Sequence, residues 1–544
     1  MTIDQQDYLN EIKANITSED RIKADIIMSH IFECDIELQR AILEVLSDTN
    51  SAFTISYILQ MLETARQLKI DESEIIFKLQ NMLIEAPDNI SQLYFYPDLW
   101  NKIDIIDLVS ELQHVPSVPF LIELLNGDIN LEKTEKIIVA LGRIGSPETV
   151  NTISEYLYQE NRILQFLAIN ALQDIGTSEA VYALAQRLGS DNQLDERIID
   201  VFAKLQDEIS LEQLNNLLKR TDPHIKNYVK TRIINIGQKT IPLLLNNIHD
   251  FDNAEFVIHS LNILSKIGDE SSVNAIRQLL YNQPENANIR FAAYEALGML
   301  PLAKGVYILS NGLMDADDMV RNAAAKAIER NNNSLLRSGI RNLIKNKDQN
   351  AQRITAAFIN AEADSVFTHL IEDDIFRELA QNYLNEHAHP DIKKHFCAIV
   401  KSSGKTPIAD LDSPKEEVKR LHIAVVDDSL MLLKIYKNNL YDIGYETSLF
   451  EFPEQALENI IKNKPDLVIT DLNMPVLTGA ELTAKLREKY SREELPVILA
   501  TTQNDQSETE KAFAAGINDV IYKPFTKEQL AEKINLFLAV TPAL

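Results

Sequence analysis

A unit of about 31 residues recurs along the middle of the chain and constrains the fold more than any other feature. Ala140-Leu141-x-x-Ile144-Gly145 realigns with Ala171-Leu172-x-x-Ile175-Gly176 at an offset of 31, and the series continues in Ile233-x-x-Ile236-Gly237 and Ile263-Leu264-x-x-Ile267-Gly268. Leu205 fills the intervening slot; Ala296-Leu297-x-x-Leu300 and, more loosely, Ala324-Ala325-x-x-Ile328 follow. Within a unit, apolar residues fall at i, i+3, i+4 and i+7, as in Ile137, Ala140, Leu141 and Ile144, which is one helical stripe. The closing glycine suits a left-handed helix cap, and Ser146-Pro147 or Thr177-Ser178 suits the start of the next helix. Each unit is then a helix pair that cannot bury its apolar face alone, so the units must stack into a solenoid.

Composition limits what such an array can serve. The 544 residues exceed one ordinary core, and repeats absorb much of that length. A formal net charge of −28 disfavours nucleic acid or an anionic membrane as a direct partner. Two cysteines, Cys34 and Cys397, leave no disulfide framework and no cysteine-based zinc module, as expected of a reducing cytoplasm. The start, Met-Thr-Ile-Asp-Gln-Gln-Asp, lacks the basic flank and apolar core of a secretory signal. No apolar run approaches the ~18–20 residues of a membrane span. The expectation is a soluble cytoplasmic protein without membrane insertion.

The units resemble HEAT repeats, in particular the short Ala-Leu-Gly-x-Ile-Gly variety also found in phycobilin lyases. The likeness covers roughly 115–335 and continues degenerately to about 400, giving an array over 111–400; it implies a surface for an unidentified protein client. A bilin lyase-like enzyme is the alternative in this region, though no further catalytic signature accompanies the repeat. Residues 1–110 read as an N-terminal helical region, with helices expected at 20–30 after Thr17-Ser18 and at 36–46 before Ser47-Asp48. Its aromatic cluster Tyr94-Phe95-Tyr96-Pro97 with Trp100 suits either a helix junction or a partner anchor. His387, His389 and His395 lack the Cys or carboxylate spacing of a metal site.

Between 401 and 420, Ser402-Ser-Gly404 and Asp412-Ser-Pro414 interrupt all periodicity and mark a linker, whose end at 415–420 is suited to a short helix. From Leu421 the grammar changes. Short apolar runs at 421–426, 445–450, 466–470, 496–501 and 519–522 alternate with helical segments near 429–441, 453–463, 478–489, 506–515 and 526–539, which predicts a doubly wound parallel α/β sheet. Asp427-Asp428 follows the first run, Asp471 the third, Thr501 ends the fourth and Lys523 follows the fifth. In an open parallel sheet these strand ends meet at the crevice where the strand order reverses. Closely packed carboxylates repel unless a cation neutralises them, and an all-oxygen donor set with room for water suits Mg²⁺.

Residues 421–544 resemble the receiver domain of bacterial two-component response regulators, of the chemotaxis-regulator type, with a flavodoxin-like sheet of order 2-1-3-4-5. The resemblance implies Asp427 and Asp428 as the acidic pair, Asp471 as phosphoacceptor, Thr501 as the switch hydroxyl and Lys523, in Lys-Pro-Phe, as the phosphoryl-binding lysine. It places the metal on Asp427, Asp428, Asp471 and the backbone carbonyl of Asn473, and matches Gly479 to the glycine before the third helix. Phosphodonors would be a histidine kinase, a phosphotransfer protein or a small phosphate donor. The chain departs from the family pattern at Val520, where many receivers place a Tyr or Phe, and at Thr502, where Ala or Gly is common. Asn473 and Gln503 flank the acceptor. No winged-helix, cyclase or hydrolase motif and no ATP-binding box accompanies the domain. Output is therefore expected through protein contact of the array, the alternative being a constitutive scaffold whose receiver only docks it to a kinase.

Overall fold

The computed structural model describes residues 5–92, 103–127, 130–189, 191–219, 223–302, 306–404, 420–474, 476–502 and 506–538. The aromatic cluster at 94–100, the linker beyond Gly404, Pro475 and Gln503 lie outside the described residues. The chain forms two compact units, Met1–Ser210 and Leu211–Leu544. No helix among the described residues is long and apolar enough to cross a membrane.

The first unit opens with helices Gln5–Thr17, Arg21–Met28, Ile36–Thr49, Ala52–Leu68 and Ser73–Glu85. Two boundaries differ from expectation. Thr17 ends a helix, and it is Asp20 that caps the following one by accepting from Lys23 N. The helix from Ile36 passes Ser47-Asp48 and stops at Asn50, whose left-handed backbone (φ 37°) ends it where a polar pair does not.

The repeat is visible from Leu131. Helices Leu131–Ile144 and Arg162–Ile175, and Ala254–Ile267 in the second unit, end on left-handed Gly145, Gly176 and Gly268. In the slot without glycine, Gln206 takes the same conformation (φ 54°) after Asn192–Leu205. The repeat therefore demands the turn even where the residue resists it. Neighbouring units approach so closely that a Cβ on Gly142 would lie 2.6 Å from Ala171 Cα, and one on Gly298 2.9 Å from Ala327 Cα. Polar rungs recur at the same spacing: Lys136 to Asp107 at 2.8 Å, Arg162 to Asp191 at 2.7 Å and Lys226 to Glu255 at 2.6 Å each join residues 29 apart. Helices continue through Gln349–Asn360 and Asp374–Glu386 to Pro390–Ser402, around the buried rings of Phe358, Phe367, Phe376 and Phe396.

The second unit then adds five parallel strands, β1 (His422–Val426), β2 (Glu446–Phe450), β3 (Leu467–Asp471), β4 (Val497–Thr501) and β5 (Asp519–Tyr522), in the order β2-β1-β3-β4-β5. Helices α1 (Leu430–Asp442), α2 (Pro453–Lys462), α3 (Gly479–Arg487), α4 (Gln506–Ala514) and α5 (Lys527–Asn535) connect and follow them. Central strands such as Leu-Val-Ile-Thr and Val-Ile-Leu-Ala are apolar on both faces because both are covered. Leu433 and Tyr436 of α1 with Leu530 and Ile534 of α5 cover one face; Ala456, Leu482 and Ala512 of the other three helices cover the opposite one.

Helix α1 lies on the last repeats of its own unit. Lys437 pairs with Asp391 at 2.7 Å and Lys434 with Glu362. Asn438 donates to Asn360 Oδ1 at 2.6 Å and accepts from His389 N at 3.2 Å, and Asp442 meets His387 at 3.1 Å. Met319 of the array enters the α1/α5 apolar cluster, with Phe291 packed beside it. The C-terminal histidines thus have separate partners, His395 bonding Asp364 at 2.9 Å.

Candidate functional site

Four of the five strands, β1, β3, β4 and β5, bring a side chain at or just after their ends to the same rim. Asp427, 2% exposed, follows β1 and accepts from Ser429 N at 2.9 Å, which fixes its carboxylate at the start of α1. Asp471 ends β3, and its Oδ2 accepts from Asn473 N at 2.9 Å. Lys523 follows β5 with its backbone N bonded to Thr501 O at 2.7 Å, tying the ends of β4 and β5 together. Its Nζ donates to Asp427 Oδ2 at 2.7 Å and to Asp471 Oδ1 at 2.6 Å. Thr501 is buried at the end of β4. Gly479 is required by close approach, since a Cβ there would lie 2.1 Å from the Asp471 carbonyl oxygen.

The electrostatics follow from enclosing these charges. Burial pushes Asp427 up, the charge of Asp471 adds to that, and Lys523 opposes both. Burial pulls Lys523 down, but Asp427 and Asp471 together hold it well above the ordinary lysine range, so it stays an ammonium. Asp428 is exposed in the crevice yet pushed up to about 6 by the surrounding protein and by the charges of Asp471 and Asp427. Among the described residues, no three carboxylate, imidazole or thiolate groups are drawn to a metal-holding spacing. The cation standing between Asp427 and Asp471 is Lys523. The donor set still suits a hard dication, being all oxygen with a surplus of negative charge concentrated at Asp428.

Four residues that sequence reasoning did not select also bear on the site. Tyr436 of α1 is buried, and its hydroxyl has no hydrogen-bond partner among the described residues; burial and the nearby Asp427 and Asp471 carboxylates raise it far above the usual phenol range despite Lys523. Its place in an apolar helical stripe concealed it. The other three come from the array. Asn288 Nδ2 donates to the Lys523 carbonyl oxygen at 2.5 Å. Glu295 is pushed up to about 7 by burial, against the pull of Arg330, with Asp427 and Asp428 adding to the rise. Lys230 is drawn down to about 8 by burial and by Lys226, while Glu255 and Asp428 oppose the fall. All three sit at ordinary helix positions some 200 residues or more before β5, so no local signal marks them. Of the departures noted in the sequence, Val520 is buried among Leu499 and Ile517, and Thr502 is exposed.

Comparison with known proteins agrees with this geometry. The family model for the response regulator receiver domain matches residues 423–535, and that for HEAT repeats matches 118–199 and 241–329. Chemotaxis protein CheY1 of Helicobacter pylori is 39% identical over 120 residues, which cover 97% of that protein and 22% of this chain. The CheY homolog of Campylobacter jejuni is 38% identical over 116 residues, 89% of that protein and 21% of this chain. CheY-3 of Vibrio cholerae is 35% identical over 118 residues, 91% of that protein and 22% of this chain. Through its C-terminal domain the chain belongs to the response regulator receiver family, here fused to an N-terminal helical array of HEAT type. It is a component of two-component signalling.

Proposed function

We propose that Asp471 is the phosphoacceptor of this receiver and that the repeat array carries the output. The observation that supports it is the bond from Lys523 Nζ to Asp471 Oδ1 at 2.6 Å, shared with Asp427. One ammonium spans Asp471 and Asp427, and it can follow a phosphoryl oxygen when Asp471 becomes an acyl phosphate. Asp471 attacks as a carboxylate nucleophile. Asp427, Asp428, Asp471 and the Asn473 carbonyl would hold Mg²⁺. When bound, the metal screens the anionic donor from these acids and stabilises charge on the transferring group. Lys523 neutralises a phosphoryl oxygen, and the Thr501 hydroxyl donates to another.

The donor in this reading is a histidine kinase or phosphotransfer protein in the cytoplasm, with small phosphate donors able to substitute. The domain division is an N-terminal helical region (1–110), the array (111–400), a linker (401–420) and the receiver (421–544). The client on the array is a protein, and no chemistry beyond phosphorylation and dephosphorylation of the receiver is assigned. Asp471→Asn is expected to abolish labelling by acetyl phosphate and Mg²⁺ completely. Labelling that persists in this variant removes Asp471 from the acceptor role.

A further inference from the structure

Lys523 cannot be considered without the array, because its backbone is held from there. Asn288, in the first turn of helix Ala287–Met299, donates to the Lys523 carbonyl oxygen at 2.5 Å, while the Lys523 ammonium reaches Asp427 and Asp471. One residue thus joins the array on its main-chain side and the acceptor on its side-chain side.

Two turns further along the same helix, Glu295 borders a cavity of about 190 Å³ with Arg330, and Leu430, Met431 and Lys434 form the receiver wall of that cavity. Leu430 stands two positions after Asp428, so Glu295 faces the first turn of α1 where the acidic pair ends. Glu295 makes no hydrogen bond or ion pair among the described residues. Phe291, between Asn288 and Glu295, packs on the α1/α5 cluster together with Met319 and keeps this helix seated on the receiver. From a separate repeat helix, Pro223–Ile236, Lys230 also acts on Asp428 through its charge.

We infer that the array reads the acceptor site at first hand: helix Ala287–Met299 holds the Lys523 loop through Asn288 and faces the acidic pair with Glu295. This inference rests on the site assignment above and adds where its occupancy is felt. With the acids uncompensated, Glu295 is repelled and Lys230 attracted. A dication on the acids reverses both preferences. When a phosphoryl group takes the Lys523 ammonium from Asp471, the loop held by Asn288 carries the change into the array. The route does not pass through position 520, where this chain has valine, so array and site communicate without an aromatic switch there.

The test is Mg²⁺ titration of the full chain by calorimetry at neutral pH, with hydrogen–deuterium exchange of 287–299 before and after adding Mg²⁺ and beryllofluoride. Glu295→Gln should weaken Mg²⁺ binding and Lys230→Ala should tighten it, each by roughly three- to tenfold. Loading should alter exchange over 287–299 in the wild type, and Asn288→Ala should remove that response. Thermal melting of each variant checks that it is folded. Mg²⁺ affinities within about twofold of wild type in both charge variants, or exchange indifferent to loading, overturn the inference and leave the site assignment intact. A wild-type chain that takes up no Mg²⁺ removes the assignment itself, and the inference with it.

Discussion

The array and the receiver bury similar kinds of residue by opposite strategies. In the array, each position is one of a series: Gly145, Gly176 and Gly268 do the same work, as do the rungs Lys136 to Asp107 and Lys226 to Glu255. In the receiver, Asp427, Asp471 and Lys523 have no counterparts, and each lies where one strand happens to end. Redundancy makes a fold readable from sequence and leaves its function unspecified; uniqueness does the reverse. The comparison also says where damage should concentrate.

The largest effect is expected at the unique site. Lys523→Ala leaves Asp427 and Asp471 buried against each other without a cation, and should destabilise the receiver by about 3 kcal/mol in chelator. Denaturant unfolding with and without Mg²⁺ measures this, and a loss as large in saturating Mg²⁺ as in its absence would mean that no metal replaces the ammonium.

In the array, Gly142→Ala should cost about 2 kcal/mol, because the new methyl meets the Ala171 backbone and not a yielding side chain. A near-neutral result, seen by thermal melting, would mean that neighbouring repeats slide apart easily and that the series is looser than its spacing implies.

Glu295 gives a pH signature at the junction. Its folded value near 7 lies above that of an unfolded glutamate, so the folded chain keeps a proton that the unfolded chain has released between these values. The contribution of Glu295 to stability therefore falls as pH rises from about 4.5 to 7 and levels off above. Glu295→Gln removes this contribution, equalling the wild type near the lower limit and exceeding it by about 3 kcal/mol above the upper one. Unfolding midpoints across that range decide the matter, and parallel curves would refute the burial assigned to this carboxyl.

The smallest effect belongs to the docking face. Lys434→Glu sets two carboxylates together by opposing Glu362, and should loosen α1 by about 1 kcal/mol; Glu362→Lys in the same chain should restore it. Exchange protection of α1 in the single and double variants gives the coupling directly, and additive effects would show that the pair contributes nothing.

What was legible in the sequence follows the same division. The five strands lie within a residue or so of their expected limits because β-branched runs between helices admit few alternatives, and the repeat declared the solenoid. The strand-end residues stand out in the sequence because each ends or directly follows a strand, and the structure brings Asp427, Asp471 and Lys523 into hydrogen-bond contact. Asn288, Glu295 and Lys230 were illegible because their importance depends on which part of the array meets the receiver. That is fixed by long-range pairs such as Asn438 with Asn360, separated by 78 residues and marked by no motif. Tyr436 was missed for another reason: an aromatic in an apolar stripe looks like packing until its hydroxyl is found without a partner among the described residues.

Helix α1 has a consequence for the idea of interchangeable parts. Receivers are often treated as cassettes, but this one presents Lys434, Lys437, Asn438 and Asp442 to Glu362, Asp391, Asn360 and His387 of the preceding repeats. A receiver transplanted from elsewhere would bring its own strand-end acids and leave those four array residues facing strangers. Such a graft would keep the chemistry of its strand ends and lose the seat that α1 has on these repeats.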